Sequence, residues 1–382
     1  MSSLHGTKVV EFCEIAAGPF CGMLLADMGA DVIKVERPTG DAMRTWPPLS
    51  DGYSENFASV NRGKRSICLN LKDEGDVAHA RQLILAADVV LENFRPGVMQ
   101  RNGLDYATMS SENPGLIYCS ISAFGQTGPR AREGGFDLTM QAMSGVMSVT
   151  GEPGGVPVKC GVPLCDFVSG LYGAYGIAAA LNARAATGKG QHIDVSMLGA
   201  TLGVSALQTS EFFGTGRAPR KLGSAHPRNA PYQAFEAADG HFGMAAGNNS
   251  LWASVCRVVG REDLQDDPKF IDPTTRAQNQ DELRELLEDI FRTRPAGHWI
   301  AAFAEAGVPC SPINTYPDVL QDPQVEHMGW VQKIELPNGV NTQTFGPVLR
   351  INDAAQQVTR RPPGIGEHTE EILAELERKA EV

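Results

Sequence analysis

The sequence has no run of basic residues, no paired-cysteine motif and no glycine-rich dinucleotide fingerprint. Its 33 lysines and arginines are outnumbered by 45 aspartates and glutamates, for a net charge of −12. A nucleic acid is therefore not expected as a partner, and a ligand with several phosphates would need a local basic site. The turn at residues 13–19, after the first apolar run, lacks GxGxxG. This absence argues against a nicotinamide or flavin cofactor.

The eight cysteines are scattered along the chain, without a CxxC pair or a cluster with histidine. Such a pattern is typical of reduced thiols in a cytoplasmic protein, and it predicts no metal site. Cys165 is next to Asp166 but has no histidine near it in the sequence. We therefore expect this thiol to pack in the interior rather than to act as a nucleophile.

Neither a secretory signal nor a membrane span is expected. Residues 1–8 do not show a basic segment followed by an apolar core, which favours a cytoplasmic location. The uncharged stretch at residues 167–183 falls just short of the ~18–20 apolar residues that a span requires. Its glycines and polar side chains instead favour a buried helix.

Short apolar runs alternate with helical spacing in the first half of the chain. Residues 9–12, 18–28 and 31–35 form a predicted β-α-β unit, which indicates an α/β fold with a parallel, doubly wound sheet. Further strands are predicted at 66–70, 88–91, 116–122 and 192–196, with helices at 75–87 and 138–147.

The predicted organisation is a large domain, a smaller α/β domain and a return segment. We assign residues 1–213 to the first part of the large domain, 214–224 to a linker, 225–315 to the small domain and 316–382 to the return segment. The glycines of the linker are typical of a connection between domains. The pattern leaves open whether the return segment completes the large domain or joins a partner subunit.

A helix is predicted to begin just after Pro163, with Asp166 in its first turn. The helix face that Asp166 shares carries mostly small side chains, those of Ser169, Gly170, Gly173 and Ile177. Under one interpretation, the helix dipole keeps Asp166 ionised as a nucleophile and the small face leaves room for a ligand. Under the other, Asp166 only favours the helix N-terminus and the glycines let another helix approach.

Several basic residues follow predicted strands, at the sheet edge where open parallel sheets bind ligands. These are Arg37, Lys72, Arg95 and Arg101. Separated cations of this kind suit a ligand with several phosphates, although each one alone is more typical of a solvated surface. Asn93 and Phe94 offer an amide and an aromatic face for a flat base, but a phenylalanine in such a turn usually packs in the core.

These stretches together resemble the class III coenzyme A transferases, the CaiB/BaiF-like family that also contains formyl-CoA transferases and acyl-CoA racemases. The matching motifs run from end to end of the chain and include Ala17-Gly18-Pro19, residues 32–37, 61–66, 92–97 and 150–153, the segment around Asp166, residues 187–191, His226-Pro227 and residues 366–369. The resemblance implies a Rossmann-like large domain with a smaller α/β domain, in an interlocked homodimer. It also implies that no metal or redox cofactor is required.

The resemblance further implies the substrates and the residues that bind them. The substrates would be an acyl-CoA and a free carboxylic acid. Asp166 matches the family's catalytic aspartate, which forms first an anhydride with the acyl group and then a thioester with CoA. The residues implied to bind CoA are Ile15, Ala16, Ala17, Arg37, Leu69, Lys72, Asn93, Phe94 and Arg101.

The chain departs from the racemases of this family at Gly135-Phe136-Asp137, where they carry a Gly-His-Asp run. Phenylalanine cannot exchange a proton, so racemisation with two bases lacks one partner. An intermolecular CoA transferase is therefore favoured over an acyl-CoA racemase or epimerase. A non-catalytic acyl-CoA-binding relative is a further alternative.

A second departure concerns the acid substrate. The formyl-CoA transferases carry a run of glycines where this chain has residues 243–249, Gly-Met-Ala-Ala-Gly-Asn-Asn. Formate and oxalate therefore lose support as the specific pair, and small dicarboxylic acids such as succinate, or branched or aromatic acids, stay open. His226 lies in a rigid polar loop without a nucleophile near it in the sequence, and we assign it no catalytic role.

Overall fold

The computed structural model describes residues 2–380, which divide into two compact units. The first unit comprises the chain up to residue 146, residues 159–217 and the chain from residue 323 onwards. The second comprises residues 147–158 and 218–322. Each unit has its own apolar core.

A parallel sheet of six strands forms the centre of the first unit. The strands of this part of the chain are β1 (Lys8–Phe12), β2 (Asp31–Glu36), a short hairpin of β3 (Leu49–Ser50) and β4 (Tyr53–Ser54), β5 (Lys64–Cys68), β6 (Val89–Glu92), β7 (Ile117–Ser122) and β8 (His192–Ser196). The order across the sheet is β5-β2-β1-β6-β7-β8. This is the order of a doubly wound nucleotide-binding fold, so the predicted parallel sheet is confirmed.

Helices cover both faces of this sheet. The helices of this part of the chain are α1 (Ala17–Asp27), α2 (Glu55–Asn61), α3 (Glu74–Leu85), α4 (Val98–Arg101), α5 (Tyr106–Ser110), α6 (Asp137–Met143), α7 (Val146–Val149), α8 (Leu164–Thr187), α9 (Met197–Val204) and α10 (Ala206–Thr215). All but the first residue of α7 belong to the second unit. Neighbouring strand residues point to opposite faces. Val9 therefore packs in the core that contains α1 and α8, whereas Val10 packs in the core that contains α3.

Among the described helices, only α8 is long and apolar enough to cross a membrane by length and composition. Of its most apolar 18-residue stretch, 39% is buried. The core helix of a globular protein passes the same test. In this structure, α8 packs against α1 and the sheet.

The second unit is built on an antiparallel sheet in the order β11-β10-β9. Its elements are β9 (Tyr232–Ala237), β10 (Gly240–Ala245), α11 (Asn249–Val259), α12 (Pro273–Gln278), α13 (Gln280–Phe291), α14 (Ala296–Glu305), β11 (Cys310–Pro312) and α15 (Tyr316–Leu320). Aromatic rings fill its core. The ring of Phe291 lies 5.2 Å from those of both Phe242 and Trp299, in edge-to-face contact.

The last part of the chain belongs to the first unit. It contains α16 (Pro323–Met328), β12 (Val331–Glu335), β13 (Asn341–Phe345), β14 (Arg350–Ile351), β15 (Ala354–Ala355) and α17 (Thr369–Ala380). Ile372 is buried in the same core as α3. Arg65, at the start of β5, lies 2.9 Å from each of Glu371 and Glu375, so α17 is tied to the sheet by burial and by charge.

Candidate active site

A cavity of about 310 Å³ lies at the carboxyl edge of the parallel sheet, where β1 and β6 end. The strand order reverses between these two strands, and open α/β sheets bind ligands at such a switch point. The cavity is lined by residues 14–17, 93–96, 121–123 and 133–136, with Asp166 and Met197. Segments far apart in the sequence therefore meet at one site within the first unit.

Helix α8 begins directly after Pro163 and carries Asp166 in its first turn, as predicted. Pro163 has no side-chain oxygen to cap the helix, so a neighbouring helix supplies one. Asp137 of α6 accepts a hydrogen bond from the backbone N–H of Cys165 at 2.9 Å. Its other carboxylate oxygen accepts one from the amide of Gln141 at 2.7 Å. These contacts fix the end of α8 that faces the cavity.

The carboxylate of Asp166 is half-buried, and it has neither a hydrogen bond nor an ion pair with any residue in the described range 2–380. Burial, with a smaller contribution from the carboxylate of Asp137, raises the pKa of Asp166 to about 7. The helix dipole acts in the opposite direction. A pKa of about 7 leaves Asp166 partly ionised near neutral pH, so desolvation weakens the expected preference for the carboxylate without removing it.

The small side chains of α8 accommodate another helix rather than a ligand. A Cβ atom at Gly170 would lie 2.7 Å from the carbonyl oxygen of Ala17, and one at Gly173 would lie 3.1 Å from the sulfur of Cys21. Both contacts are with α1, so the second interpretation of this face is correct for the glycines. Only the N-terminal end of the face, at Asp166, opens to the cavity.

The residues implied to bind CoA divide into two groups. Ile15, Ala16, Ala17, Asn93 and Phe94 line the cavity together with Asp166. The other members, which follow strands at the same edge of the sheet but lie outside the lining, are Arg37, Leu69, Lys72 and Arg101. The implied set therefore extends beyond the cavity along the sheet edge.

The members outside the cavity differ in exposure. The side chain of Arg37 is half-exposed, and its Nε donates to the carbonyl of Gly40 at 2.9 Å. Lys72 and Arg101 are exposed. Leu69 is buried in the core below the sheet edge, so its side chain is not free to contact a ligand. Of the cations noted in the sequence, only Arg95 lines the cavity itself.

The cavity wall formed by residues 14–17 is held by buried charges that sequence reasoning missed. Ile15 has φ of +68°, an unusual conformation for a β-branched residue. Asp41 accepts the N–H of Ile15 at 3.1 Å, and the ammonium of Lys34 lies 2.9 Å from Asp41. Lys34 also donates to the carbonyl of Cys13 at 2.6 Å. These contacts on both sides of Ile15 support its backbone conformation.

A sequence signal for this cluster exists, because Glu11 and Lys34 interrupt the apolar stretches of β1 and β2, and Lys64 begins β5. Strands of a parallel sheet are buried on both faces, so a charge within one must be paired. Glu11 lies 3.2 Å from the ammonium of Lys34 and 2.8 Å from that of Lys64. All three side chains are fully buried.

Other candidate groups lie elsewhere or have structural surroundings. Burial raises the pKa of the Cys165 thiol to about 11, in keeping with a packing role. His226 lies in the second unit, where its ring stacks on Tyr232 at 5.0 Å. Within residues 2–380, no cluster of three or more histidines, cysteines or acids is placed to hold a metal ion. All eight cysteines are free thiols.

Comparison with known proteins shows similarity across the whole chain. The family model for CoA-transferase family III matches residues 4–369. A succinate–glutarate CoA-transferase from Agrobacterium fabrum is 38% identical over 98% of this chain and 96% of its own length. An acetyl-CoA:oxalate CoA-transferase from Acetobacter aceti is 43% identical over 84% of this chain and 82% of its own length.

A solved structure supports the same relationship. The crystal structure of a CaiB/BaiF family protein from Brucella suis is 42% identical and aligns with a TM-score of 0.86 over 98% of this chain and 99% of that one. The fold, the cavity at the switch point and these matches agree. The chain belongs to CoA-transferase family III.

Proposed function

We propose that this enzyme transfers CoA from a dicarboxyl-CoA, such as succinyl-CoA, to a free carboxylic acid, with Asp166 as the nucleophile. The observation that carries the proposal is the unpaired carboxylate of Asp166 in the cavity at the switch point of the sheet. Two similar proteins are named for succinate with glutarate and for oxalate, which are dicarboxylic acids. Residues 243–249 argued against oxalate as a substrate. The similarity to the oxalate CoA-transferase is a reason to test oxalate as an acceptor.

The proposed reaction proceeds through two kinds of intermediate on Asp166. A carboxylate oxygen attacks the thioester carbonyl of the donor, the C–S bond breaks, and CoA leaves as a thiolate. The thiolate then attacks the Asp166 carbonyl of the anhydride, which releases the donor acid and leaves an aspartyl-CoA thioester. The acceptor carboxylate repeats the two steps in reverse order and departs as the new acyl-CoA. Covalent catalysis thus divides one exchange into steps of similar difficulty.

We further propose that CoA lies along the carboxyl edge of the sheet. The cavity residues Ile15, Ala16, Ala17, Asn93 and Phe94 would contact the pantetheine arm near the thioester. The exposed cations that follow the strands, Arg37, Lys72 and Arg101, would contact the phosphates, and Leu69 would support the edge from the core. Support comes from the placement of these residues along one edge.

The racemase alternative requires a second acid or base beside Asp166. Phe136 lines the same cavity, and 66% of its surface is exposed, so a non-titratable ring stands where that base would act. The residues that line the cavity include no histidine. Transfer therefore explains the site better than racemisation does.

Acceptor-dependent transfer is the direct test of the proposed function. We expect succinyl-CoA mixed with glutarate, oxalate or another acid to yield the new acyl-CoA and free succinate, measured by mass spectrometry. A racemase would instead exchange the α-hydrogen of a 2-methylacyl-CoA in deuterated water without any acceptor. A non-catalytic relative would bind CoA esters and form neither product.

The raised pKa of Asp166 predicts a pH dependence of transfer. The group attacks as the carboxylate, so kcat/KM should rise with pH through about 7 and level off above it. Below the pKa, it should fall about tenfold for each pH unit as Asp166 is protonated. Initial rates between pH 5 and 9, with circular dichroism as a check on folding, would measure this. A flat profile from pH 5 to 8 would show that Asp166 keeps an ordinary carboxyl pKa.

We also propose that the enzyme is an interlocked homodimer. Helices α8 and α10 expose large apolar side chains, including those of Tyr175, Leu207 and Phe213 with 72%, 61% and 80% exposure. Apolar surfaces of this kind mark protein interfaces. Light scattering should give the mass of two chains, and the mass of one chain would contradict the proposal.

Two proposals concern the surroundings of the reaction. No metal or redox cofactor is needed, because each step exchanges one carboxyl derivative for another without a change of oxidation state. A cytoplasmic location is supported by the eight free thiols. Full activity after dialysis against a chelator would test the first, and microscopy of the tagged full chain would test the second.

A further inference from the structure

Four charged side chains line the cavity, those of Glu14, Arg95, Glu133 and Asp166. Two of the acids are paired with cations: Glu14 lies 3.4 Å from Arg37, and Glu133 accepts a hydrogen bond from Arg130 at 3.1 Å. The guanidinium of Arg95 has no hydrogen bond or ion pair within the described part of the chain, and the same is true of Asp166. The cavity therefore contains one unpaired cation and one unpaired carboxylate.

Arg95 is exposed, and its guanidinium lies against Gly134. A Cβ atom at Gly134 would lie 2.6 Å from Nη2 of Arg95, 2.9 Å from Cζ and 3.1 Å from Nε. The guanidinium therefore occupies the space that any side chain at position 134 would take. Glycine at this position is what permits the close approach.

The backbone that leads into Arg95 is also fixed. Asn93 accepts a hydrogen bond from the N–H of Glu14 at 2.9 Å, and its amide donates to the carbonyl of Glu14 at 2.8 Å. Phe94 donates its N–H to the buried carboxylate of Glu92, also at 2.9 Å. The backbone just before Arg95 is thus held at the ends of β1 and β6, beside the cavity that Arg95 lines.

An unpaired guanidinium in a substrate cavity is suited to bind a carboxylate, because its fork of N–H donors matches the two oxygens. In a transfer reaction at Asp166, one carboxylate of the acid reacts and must reach the Asp166 side of the cavity. Resting on the proposed function, we propose that Arg95 is a specificity-determining residue that binds the other carboxylate and selects dicarboxylic acids.

The test is a competition between two acids of equal chain length, glutarate and monomethyl glutarate, in one mixture with one acyl-CoA donor. The ratio of the two acyl-CoA products at low conversion gives the ratio of their kcat/KM values, independently of the donor and of the active enzyme concentration. We expect the wild type to prefer glutarate by roughly 10- to 100-fold, the contribution of a charged hydrogen bond. The same measurement with succinate and its monomethyl ester gives a second acid pair.

The Arg95→Gln variant should reduce this preference to less than about threefold, and Arg95→Lys should keep an intermediate preference because it retains charge without the planar fork. Gly134→Ala should also weaken the preference, since it displaces the guanidinium without removing the charge. Melting temperatures of the variants would show that each one folds.

Three outcomes would overturn the proposal. If Arg95→Gln slows transfer to both acids equally and leaves the product ratio unchanged, Arg95 does not bind the second carboxylate. If it chiefly raises KM for the acyl-CoA with either acid, Arg95 binds CoA instead. If the wild type forms no acid-dependent product, the proposed function fails and this proposal fails with it.

Discussion

Replacement of Asp166 with alanine should abolish CoA transfer, with kcat/KM lowered on the order of 1,000-fold or more, while acyl-CoA binding stays close to that of the wild type. The loss is large because each covalent intermediate is formed on this carboxylate. Binding should persist because the implied CoA-binding residues extend well beyond Asp166, along the edge of the sheet. Isothermal titration with acyl-CoA and a transfer assay by mass spectrometry would measure the two properties separately.

Chemical trapping gives an independent readout of the same role. Hydroxylamine should inactivate the wild type only when an acyl-CoA is present, because only an activated aspartyl group reacts with it. Peptide mass spectrometry should then locate the hydroxamate on Asp166. Modification at another residue, or inactivation without acyl-CoA, would contradict the proposed intermediate.

A matched control is available in the same cavity. Glu133→Gln also removes one carboxylate from the lining, but Arg130 already neutralises that carboxylate. We expect this variant to stay within about threefold of the wild type, since exposed ion pairs contribute little. An equal loss in both variants would mean that the general charge of the cavity, and not a nucleophile at position 166, controls the rate.

Lys34→Met should be the most destabilising of the substitutions considered, with the free energy of unfolding lowered by about 3–5 kcal/mol. Lys34 is fully buried between Glu11 and Asp41, at 3.2 Å and 2.9 Å. Burial lowers the pKa of Lys34, but Asp41 and Glu11 outweigh this effect and raise it overall. Methionine matches the length of lysine yet leaves Asp41 buried without its cation.

Thermal unfolding would measure this effect, as a fall in melting temperature of roughly 10 °C. Arg81→Met is the control in the same unit, because Arg81 pairs with Glu112 on the exposed surface. That variant should lose at most about 1 kcal/mol. Similar melting temperatures for the two variants would show that the buried cluster adds no more than a surface pair. Lys34→Met should also raise KM for acyl-CoA, since it releases the segment that contains Ile15.

The sheet and most of its helices could be predicted from local pattern. The strand predicted at 192–196 has those bounds in the structure, and β7 begins one residue after its predicted start. Apolar periodicity predicts such elements because it records which side chains each segment must bury. The strand predicted at 66–70 instead spans Lys64–Cys68. Its first two residues are a lysine and an arginine, and their burial depends on acids elsewhere in the chain.

The candidate site, too, could be predicted from the sequence only in part. Position in the sequence was enough to place Asp166 in the first turn of a helix, and the order of strands and motifs was enough to bring residues 15–17 and 93–94 to one sheet edge. Pattern alone left the small face of α8 open to two interpretations. The structure places α1 against that face, because helix packing depends on partners more than a hundred residues away in the chain.

The sequence by itself determined the fold class, the family and the identity of the candidate nucleophile, since these depend on residue types and their spacing. Only the tertiary structure decided which charges are unpaired in the cavity, that Arg95 and Asp166 line the same cavity, and that burial raises the pKa of Asp166. Electrostatic energies depend on distance and on exclusion of water. Both are properties of side chains brought together by folding, and neither is encoded in a local pattern.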